Sequence, residues 1–323
     1  MNTLGKIMDV VIAKRLQFMA EKHNLLPAMH TGGRAASSTE HVIHILLEKI
    51  HAGWRKGQVA SLLMLDLSGA FDNVSLPRLL HNLRKRKIPP EVVGWMGSYL
   101  TNRTSTIRLQ EGLGEKFVVS YGIPQGSPLS PILYLFYMSD LLEIEDENTL
   151  ITGYIDDTGF LAIGPSTEAN NRVLARLHQQ ADDIAARHAS VFNPKKYQLV
   201  HFAPKRRAGR YELDRPLRLE LASGQVQEVK AKPTGEYLGV ILDSYLEGKQ
   251  HLAKIEEKAM HQIRALSRIG QSTWGVHVED MRQLVISTLL PKMLYACTTW
   301  FVPDGGFGYK TREKHVVERL GAL

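Results

Sequence analysis

The sequence predicts an α+β fold in which a largely antiparallel sheet is combined with helices and is followed by a helical C-terminal part. Two observations predict this class. Up to about residue 250, segments with the apolar spacing of helices alternate with short apolar runs, and several of these runs are joined in pairs by turn residues. From His251 onward the apolar spacing is that of helices alone. Two regions are therefore expected, 1–250 and 251–323.

The individual elements follow from local signals. Helices are predicted at 6–23, 38–54, 76–86, 132–142 and 167–188 and after Pro89-Pro90, strands at 59–67, 197–202 and 237–242, and hairpins at 103–121 and 150–163. Ser75 is a residue type that caps the start of a helix, here the one at 76–86. Ser130 followed by Pro131 likewise predicts the start of the helix at 132–142, with Ser130 as the cap, because proline is favoured at the first helical position.

The composition is that of a globular intracellular protein. Of its 323 residues, 44% are apolar and 23% are charged, which excludes wholesale disorder. The one cysteine, Cys297, excludes a disulfide framework and a cysteine-based zinc site. His41 and His44 lie in an apolar helical stretch, where ordinary packing is preferred over metal binding. We find no signal peptide and no apolar run of the ~20 residues that a membrane span needs, so a soluble protein is expected.

Positive charge is concentrated in two segments. The net charge is +7, from 40 Lys and Arg against 33 Asp and Glu. Segment 78–108 holds seven basic residues against one acidic residue, and segment 193–215 holds seven against two. Either segment alone is typical of solvated surface, but together they account for the excess and favour a polyanionic partner.

Three aspartates stand at the ends of apolar strands. Asp66 follows the run Leu62-Leu-Met-Leu, and a buried strand does not normally end in a carboxylate that lacks a cation or metal partner. For this stretch alone, an aspartate that caps the following turn is an equally good interpretation. Asp156 and Asp157 are adjacent between apolar flanks, so both serve one site only if they lie at the turn of a hairpin. Without a divalent cation, two carboxylates this close raise each other's pKa, although a plain Asp-Asp turn is the alternative.

Such a set of carboxylates suits Mg²⁺, which prefers oxygen ligands and shares its coordination with substrate phosphates. Two ions ~3.5–4 Å apart can activate a 3′-hydroxyl and stabilise a leaving pyrophosphate. A second segment, Gly122-Ile-Pro-Gln125-Gly126-Ser-Pro-Leu-Ser-Pro131, predicts a rigid loop that lets a ligand approach its backbone and that leads into a helix. A metal-dependent nuclease would explain the aspartates. It would give no role to this loop or to Phe71, which lies five residues after Asp66.

These segments resemble, in the same order, the motifs of reverse transcriptases, in particular those of non-LTR (LINE-like) retrotransposons of the fungal type. Asp66-x4-Phe71 is similar to the first catalytic motif, 122–131 to the Pro-Gln-Gly motif, and Tyr154-Ile-Asp-Asp to the aromatic-x-Asp-Asp hairpin. Segments 192–197 and 237–240 resemble the two following motifs, 32–34 with 38–40 an upstream element, and 272–275 a stretch of the thumb. The resemblance implies a right-hand polymerase fold, with fingers and palm at 1–250 and a helical thumb-like region at 251–323.

The resemblance also implies roles for individual residues. Asp66, Asp156 and Asp157 would be catalytic and hold two Mg²⁺ ions, with Mn²⁺ as an alternative. Phe71 would lie under the incoming sugar and exclude a 2′-hydroxyl, although the residue by itself is typical of a core phenylalanine. The other nucleotide contacts would be Gln125, Gly126 and Lys196, with Lys195 not distinguished from Lys196. The primer and template contacts would be Tyr154, Leu238, Gly239 and Arg34.

The implied function is that of an RNA-directed DNA polymerase domain, a nucleotidyltransferase that uses dNTPs to extend a DNA primer on an RNA template. Members of the family normally carry a further segment upstream of a stretch like Leu4-Gly-Lys-Ile-Met, so we expect this chain to be truncated. The alternative is a catalytically impaired retroelement fragment that only binds nucleic acid. No membrane partner is expected, and the nucleus is the compartment that the family implies.

Overall fold

The computed structural model describes residues 3–34, 37–110, 112–221, 224–270 and 274–300. The helices are α1 (Thr3–Lys22), α2 (Thr39–Arg55), α3 (Leu76–Lys85), α4 (Pro90–Leu100), α5 (Ser130–Met138), α6 (Thr167–Arg187), α7 (Lys249–Ile269), α8 (Val278–Leu284), α9 (Leu290–Met293) and α10 (Cys297–Trp300). The strands are β1 (His30–Thr31), β2 (Val59–Leu65), β3 (Arg103–Leu109), β4 (Gly112–Val119), β5 (Thr149–Tyr154), β6 (Asp157–Gly164), β7 (Gln198–Phe202), β8 (Leu217–Glu220), β9 (Val226–Val229), β10 (Thr234–Tyr237) and β11 (Val240–Asp243).

A five-stranded sheet with the order β1-β5-β6-β2-β7 forms the centre of the molecule. Its pairings are antiparallel except for the short parallel pair β1–β5, which confirms the predicted mixed fold with a largely antiparallel sheet. The predicted hairpins are also confirmed, as β3–β4 and β5–β6. Strand β2 therefore lies inside the sheet, with a hydrogen-bonded neighbour on each side.

Strand β2 contributes to two apolar cores. All seven of its residues are buried. Leu63 and Leu65 pack into a core built with α1, α3, α4, α5 and α6. Leu62 and Met64 pack into a second core built with α2, β10 and β11. Because side chains alternate between the faces of a strand, this division explains why the run is continuously apolar.

Several predicted features differ from the structure. The run at 237–242 is the end of one strand and the start of another, joined by Leu238 and Gly239, whose φ angles are +48° and +80°. The turn was not predicted because the side chains of this run are apolar, and Gly239 is its only residue that is typical of a turn. Helix α5 begins at Ser130, whose hydroxyl donates to the carbonyl of Pro124 at 2.5 Å instead of capping the helix. The hairpin β8–β9 was not predicted, and Ser75 makes no side-chain cap.

The helical part beyond β11 packs back on the sheet region. Helix α7 contacts β11, and α10 contacts α2. The Tyr295 hydroxyl donates to the carbonyl of Leu238 at 2.7 Å, and the Ala296 amide donates to Glu40 Oε1 at 2.9 Å. The predicted thumb motif falls partly on residues 272–273, which lie outside the described residues. Among the described helices, none is long and apolar enough to cross a membrane.

Part of the first basic segment is neutralised inside the fold. Asp140, which follows α5, lies 2.8 Å from Lys85 Nζ, 3.3 Å from Arg86 Nη2 and 3.4 Å from Arg78 Nη2. The Asp140 side chain is only 14% exposed, so this cluster stabilises the packing of α3 on α5. Burial alone would raise the pKa of Asp140, but the hydrogen bond from Lys85 and the nearby cations outweigh it and lower that pKa. These three cations are therefore less available to a polyanion than the sequence suggested.

We expect Asp140→Asn to lower the free energy of unfolding by about 1–2 kcal/mol at pH 7, because it removes the charge that three cations share. The folded-state pKa of Asp140 is depressed, so its contribution is present above the ordinary carboxyl pKa and is lost as the pH falls towards the folded value. Urea unfolding should therefore separate the variant from the native chain at pH 7 and bring the two together near pH 3. Glu168→Gln, which breaks the exposed pair with Arg172, is the control and should change nothing measurable. A separation that persists undiminished at low pH would contradict the assignment.

Candidate active site

The site begins with the register of three strands. In β2, Leu65 lies opposite Thr158 of β6, and Met64 lies opposite Gln198 of β7. Continuing both antiparallel registers to the end of β2 places Asp66 between Asp157 and Lys196. Residues directly opposite in an antiparallel ladder point to the same face. We call these three side chains the Asp157–Asp66–Lys196 row.

The contacts confirm one side of this row. Lys196 Nζ lies 3.2 Å from Asp66 Oδ1 and 3.1 Å from Asp66 Oδ2. The main chain supports the same arrangement, since the Asn193 amide donates to the carbonyl of Asp66 at 2.9 Å. Lys195, which the sequence did not distinguish from Lys196, makes no ion pair among the described residues, although it lines the same cleft. Lys196 is therefore the lysine that is paired with the central carboxylate.

Asp156 and Asp157 lie at the tip of the β5–β6 hairpin, as predicted. The turn consists of Ile155 and Asp156, between the paired residues Tyr154 and Asp157. Ile155 has a φ of +58°, which is unusual for a β-branched residue and is a form of backbone strain that concentrates at functional sites. A two-residue turn whose first residue has a positive φ matches the twist of the two strands. The tight turn brings both carboxylates to the end of β2 that carries Asp66.

The electrostatics of the row are those of an anion-rich site. Burial raises the pKa of Asp157, and the neighbouring carboxylates of Asp156 and Asp66 raise it further. Asp66 Oδ2 is buried and, although Lys196 is near, it accepts no hydrogen bond within acceptable angles. The side chain of Lys196 is 61% exposed, so this one ammonium gives the carboxylates only a weak, solvent-screened counter-charge. Within the row and the adjacent Asp156, three carboxylates are therefore paired with a single ammonium, while Lys195 and Lys232 line the cleft beside them.

The donor set fits a hard divalent cation. Among the described residues, no three His, Cys, Asp or Glu side chains are arranged as a metal-binding group. The fit rests instead on donor type and charge, because desolvation and then the neighbouring carboxylates raise the pKa of Asp157, and one buried oxygen of Asp66 lacks a hydrogen bond. Such oxygens are the ligands that Mg²⁺ and Mn²⁺ prefer.

The proline-rich loop approaches the site from the side of Phe71. The Ile123 amide donates to the Phe71 carbonyl at 2.8 Å, and Gln125 Nε2 donates to Asp72 Oδ1 at 2.9 Å. Gly122 is required here, because a Cβ atom would lie 2.7 Å from the carbonyl oxygen of Asp72. Gly126 has a φ of +85° and no atom within 4 Å of where its Cβ would be. Gln125 is thus held against the segment that follows β2, and Gly126 has open space on the side where a side chain would lie. Phe71, Gln125 and Gly126 are not part of the lining of the cleft beside Asp66 and Asp157.

Phe71 is partly buried and stacks on Tyr134 of α5, with ring centroids 5.2 Å apart and planes at 27°. Tyr134 is fully buried, and its hydroxyl has no hydrogen-bond partner among the described residues. Burial raises the pKa of Tyr134 strongly, and the charges of Asp156 and Asp66 add to the effect. The predicted steric role and the core interpretation of Phe71 are thus compatible, since one face packs on Tyr134. Sequence reasoning missed Tyr134, for which a polar hydroxyl in an otherwise apolar helix was the available signal.

A cleft of about 320 Å³ runs from the row to the β10–β11 hairpin and includes Asp66, Asp157, Lys196 and Leu238 in its lining. Behind it the Tyr237 hydroxyl lies 2.8 Å from Thr152 Oγ1 of β5. Tyr237 therefore connects the β10–β11 turn to the hairpin that carries the aspartates. The sequence placed this tyrosine in a motif without assigning it a role.

Of the four predicted primer or template residues, only Leu238 lines this cleft. Gly239 follows it in the β10–β11 turn, and Arg34 and Tyr154 are not part of the lining. The Arg34 guanidinium pairs with Glu21 at 2.7 Å and donates to the carbonyls of Pro27 and His30. Its side chain is 12% exposed, so its contacts in this structure are structural ones. Tyr154 is half-buried and packs against the second core. Their roles towards nucleic acid stay predictions.

Comparison with known proteins gives three findings. A family model described as reverse transcriptase (RNA-dependent DNA polymerase) matches residues 1–242. The chain is 24% identical over 309 residues to a probable RNA-directed DNA polymerase from transposon BS of Drosophila melanogaster, covering 93% of this chain and 33% of that protein. It is 26% identical over 275 residues to the RNA-directed DNA polymerase from mobile element jockey of the same species, covering 82% of this chain and 28% of that protein.

The chain therefore spans about a third of the length of these curated relatives. The relatives are insect elements, and the predicted affiliation with the fungal type is not confirmed. Among solved structures, a telomerase from Candida tropicalis in complex with a TWJ fragment of telomeric RNA superposes with a TM-score of 0.54 at 14% identity. That match covers 99% of this chain and 50% of the telomerase. Apo telomerase from the same organism gives a TM-score of 0.53 at 13% identity and covers 98% and 53% of the two chains. At these identities the likeness shows the fold, and it confirms the predicted right-hand polymerase fold.

We expect Asp157→Asn to raise the melting temperature by about 1 °C or less near neutral pH, because it removes one of three mutually repelling carboxylates at an exposed position where solvent screens the repulsion. The folded-state pKa of Asp157 is raised, so the cost of its ionisation appears as the pH rises above the ordinary carboxyl range, and variant and native chain should converge at low pH. MgCl₂ should stabilise the native chain more than the variant at matched ionic strength. A variant that melts several degrees lower, or an equal response to MgCl₂, would contradict a cation site at these carboxylates.

Proposed function

The chain belongs to the reverse transcriptase (RNA-dependent DNA polymerase) family, and on this premise we propose that it acts as an RNA-directed DNA polymerase domain that extends a DNA primer on an RNA template. In this proposal residues 1–250 form the fingers and palm, and residues 251–323 form a thumb-like region. The single observation that supports the activity best is the Asp157–Asp66–Lys196 row, with Asp156 in the adjacent turn and the proline-rich loop beside it. A fragment that only binds nucleic acid is not favoured by any contact in this site.

The reaction requires charge neutralisation where the pyrophosphate leaves. Asp66, Asp156 and Asp157 would hold two Mg²⁺ ions, which supply activation of the primer 3′-hydroxyl and stabilisation of the leaving phosphates. The chain itself contributes rigid placement, since Asp66 is held by the register of β2 and Asp157 by the hairpin register. The Lys196 ammonium, which lies 3.2 Å from Asp66 Oδ1, would exchange this carboxylate for a substrate phosphate. Rotation of the lysine side chain would suffice for this exchange.

The nucleotide would bind in the open space between the row and the loop. Gln125 and Gly126 would line this pocket, with the Gln125 amide held by Asp72. Phe71, backed by Tyr134, would form the wall beneath the sugar and would clash with a 2′-hydroxyl. Its firm backing matters because a wall that yields would not discriminate between sugars.

The primer end would lie against the β10–β11 turn. Leu238 and Gly239 form this turn, and the Leu238 carbonyl is fixed by Tyr295 at 2.7 Å. Tyr154 and Arg34 would contact the template or primer from the other side of the hairpin. The names of the Drosophila relatives, which describe RNA-directed DNA polymerases, support an RNA template.

Asp156→Ala is expected to reduce primer extension at least ~10²-fold, because metal-assisted charge stabilisation is the largest catalytic contribution. The assay is dTTP incorporation on poly(rA)/oligo(dT) with Mg²⁺. Asp183→Ala, which removes an exposed carboxylate on α6, is the matched control and should extend like the native chain. Equal incorporation by the native chain and Asp156→Ala would reject the catalytic assignment.

Phe71→Val should lower the preference for dNTP over rNTP about ten-fold or more, since a smaller side chain leaves room for the 2′-hydroxyl. Single-turnover incorporation of each nucleotide on one template–primer gives the two kcat/KM values whose ratio is the preference. Phe18→Val, at a 62% exposed position on α1, controls for loss of an aromatic ring elsewhere. An unchanged ratio together with reduced stability would leave Phe71 as a core residue only.

A further inference from the structure

A buried carboxylate outside all of the family-like motifs contacts the proline-rich loop. Asp9 of α1 is 1% exposed. Its Oδ2 accepts hydrogen bonds from the Ser127 hydroxyl at 2.7 Å and from the Tyr99 hydroxyl at 2.8 Å. Asp9, Tyr99 and Ser127 are thus brought together from α1, α4 and the loop, and we call them the Asp9 anchor.

Ser127 is the member of the anchor that belongs to the loop. It lies one residue after Gly126 and two after Gln125, the proposed nucleotide contacts. Its Oγ also accepts from the Leu129 amide at 3.2 Å, and the Tyr99 hydroxyl lies 3.4 Å away. The hydroxyl therefore fixes the backbone at the point where the loop turns into α5.

Tyr99 is itself held in place. Its ring stacks on Trp95, with centroids 5.1 Å apart and planes at 10°. Burial is the main reason that its pKa is raised to about 12, with Asp9 adding to the effect and the hydrogen bond to Ser127 opposing it. Tyr99 is therefore a neutral donor across the physiological range, which suits a carboxylate acceptor.

Stability alone does not account for this arrangement. No cation forms an ion pair with Asp9 among the described residues, and its Oδ1 is buried without a hydrogen-bond partner. A buried carboxylate with only neutral donors is costly compared with an apolar residue of similar size. Residues that violate the rules of core packing are expected at functional sites.

The loop has contacts on two sides. At its front, Gln125 binds Asp72 and the Ile123 amide binds the Phe71 carbonyl. At its back, the contact through Ser127 reaches Asp9. Loss of the back contact would leave the front ones in place but allow the segment at Gly126 to move, because Gly126 has a φ of +85° and open space on the side where a side chain would lie.

We propose that Asp9 is a positioning residue of the nucleotide pocket, which acts through Ser127 to hold Gln125 and Gly126 in their binding geometry. The proposal rests on the proposed polymerase function. It assigns a specific role to α1, whose remaining buried residues serve the core. Asp9 is buried behind the loop and acts through its hydrogen bonds with Ser127 and Tyr99, so its expected effect is on nucleotide binding and not on the chemical step.

The test compares Asp9→Ala, Ser127→Ala and the double variant with the native chain. Each single variant should raise the KM for dNTP about ten-fold and change kcat and the KM for template–primer less than about three-fold. Because both side chains act through one hydrogen bond, the double variant should resemble the singles instead of multiplying their effects. Asp9→Asn keeps an acceptor oxygen and should recover most of the native KM.

Leu16→Ala is the matched control, since Leu16 is a fully buried residue of the same helix that lies in the core. It should lower the melting temperature and leave the KM for dNTP unchanged. If Asp9→Ala lowers the melting temperature but leaves that KM unchanged, or if Leu16→Ala raises it equally, Asp9 is structural only and the proposal is overturned.

Hydrogen exchange separates failure of this proposal from failure of the proposed function. Asp9→Ala should speed exchange about ten-fold or more in peptides that cover 122–131 and leave those that cover β6 unchanged, whether or not the chain polymerises. If exchange in the loop is faster in Asp9→Ala but the native chain incorporates no dNTP, the anchor is retained and the polymerase function is rejected. Unchanged loop exchange would reject the anchor whatever the activity.

Discussion

The pairing of β2 with a strand on each side is the constraint on which the site depends. Because β2 is buried on both faces, its register is specified by two cores at once, and a shift by one residue would exchange Leu62 and Met64 with Leu63 and Leu65. The residue that follows β2 is therefore delivered to one position. At that position Asp66 lies between Asp157 and Lys196.

The loop and α1 depend on this strand in turn. The segment after β2 carries Phe71 and Asp72, and their carbonyl and carboxylate groups receive the front of the proline-rich loop. The back of the loop is held by Asp9 through Ser127. In the proposed function, one wall of the nucleotide pocket is therefore held by the segment that follows β2 and another by α1 and α4. The carboxylate row and the proline-rich loop are held in place by different contacts.

Much of this site could be predicted because its signals are local. An apolar run that ends in Asp66, an Asp-Asp pair between apolar flanks and a loop rich in Pro and Gly are each visible in a few residues. The basic segments were less informative, because the charge of a segment does not show which acidic residues elsewhere in the chain pair with it in the fold. Three cations of segment 78–108 lie around Asp140 instead of facing solvent together. The turn at Leu238 was missed because its apolar side chain is typical of a strand.

The sequence by itself determined the types of most elements, the hairpin that carries Asp156 and Asp157, and a set of motifs that resemble, in order, those of a polymerase palm. These properties depend on spacing between residues that are near one another in the chain. The tertiary structure decided which lysine meets Asp66, which ring backs Phe71 and which carboxylate holds Ser127. Asp9 and Ser127 are 118 residues apart, and Lys196 and Asp66 are 130 apart. Contacts of that separation are set by strand register and helix packing, for which no local pattern exists.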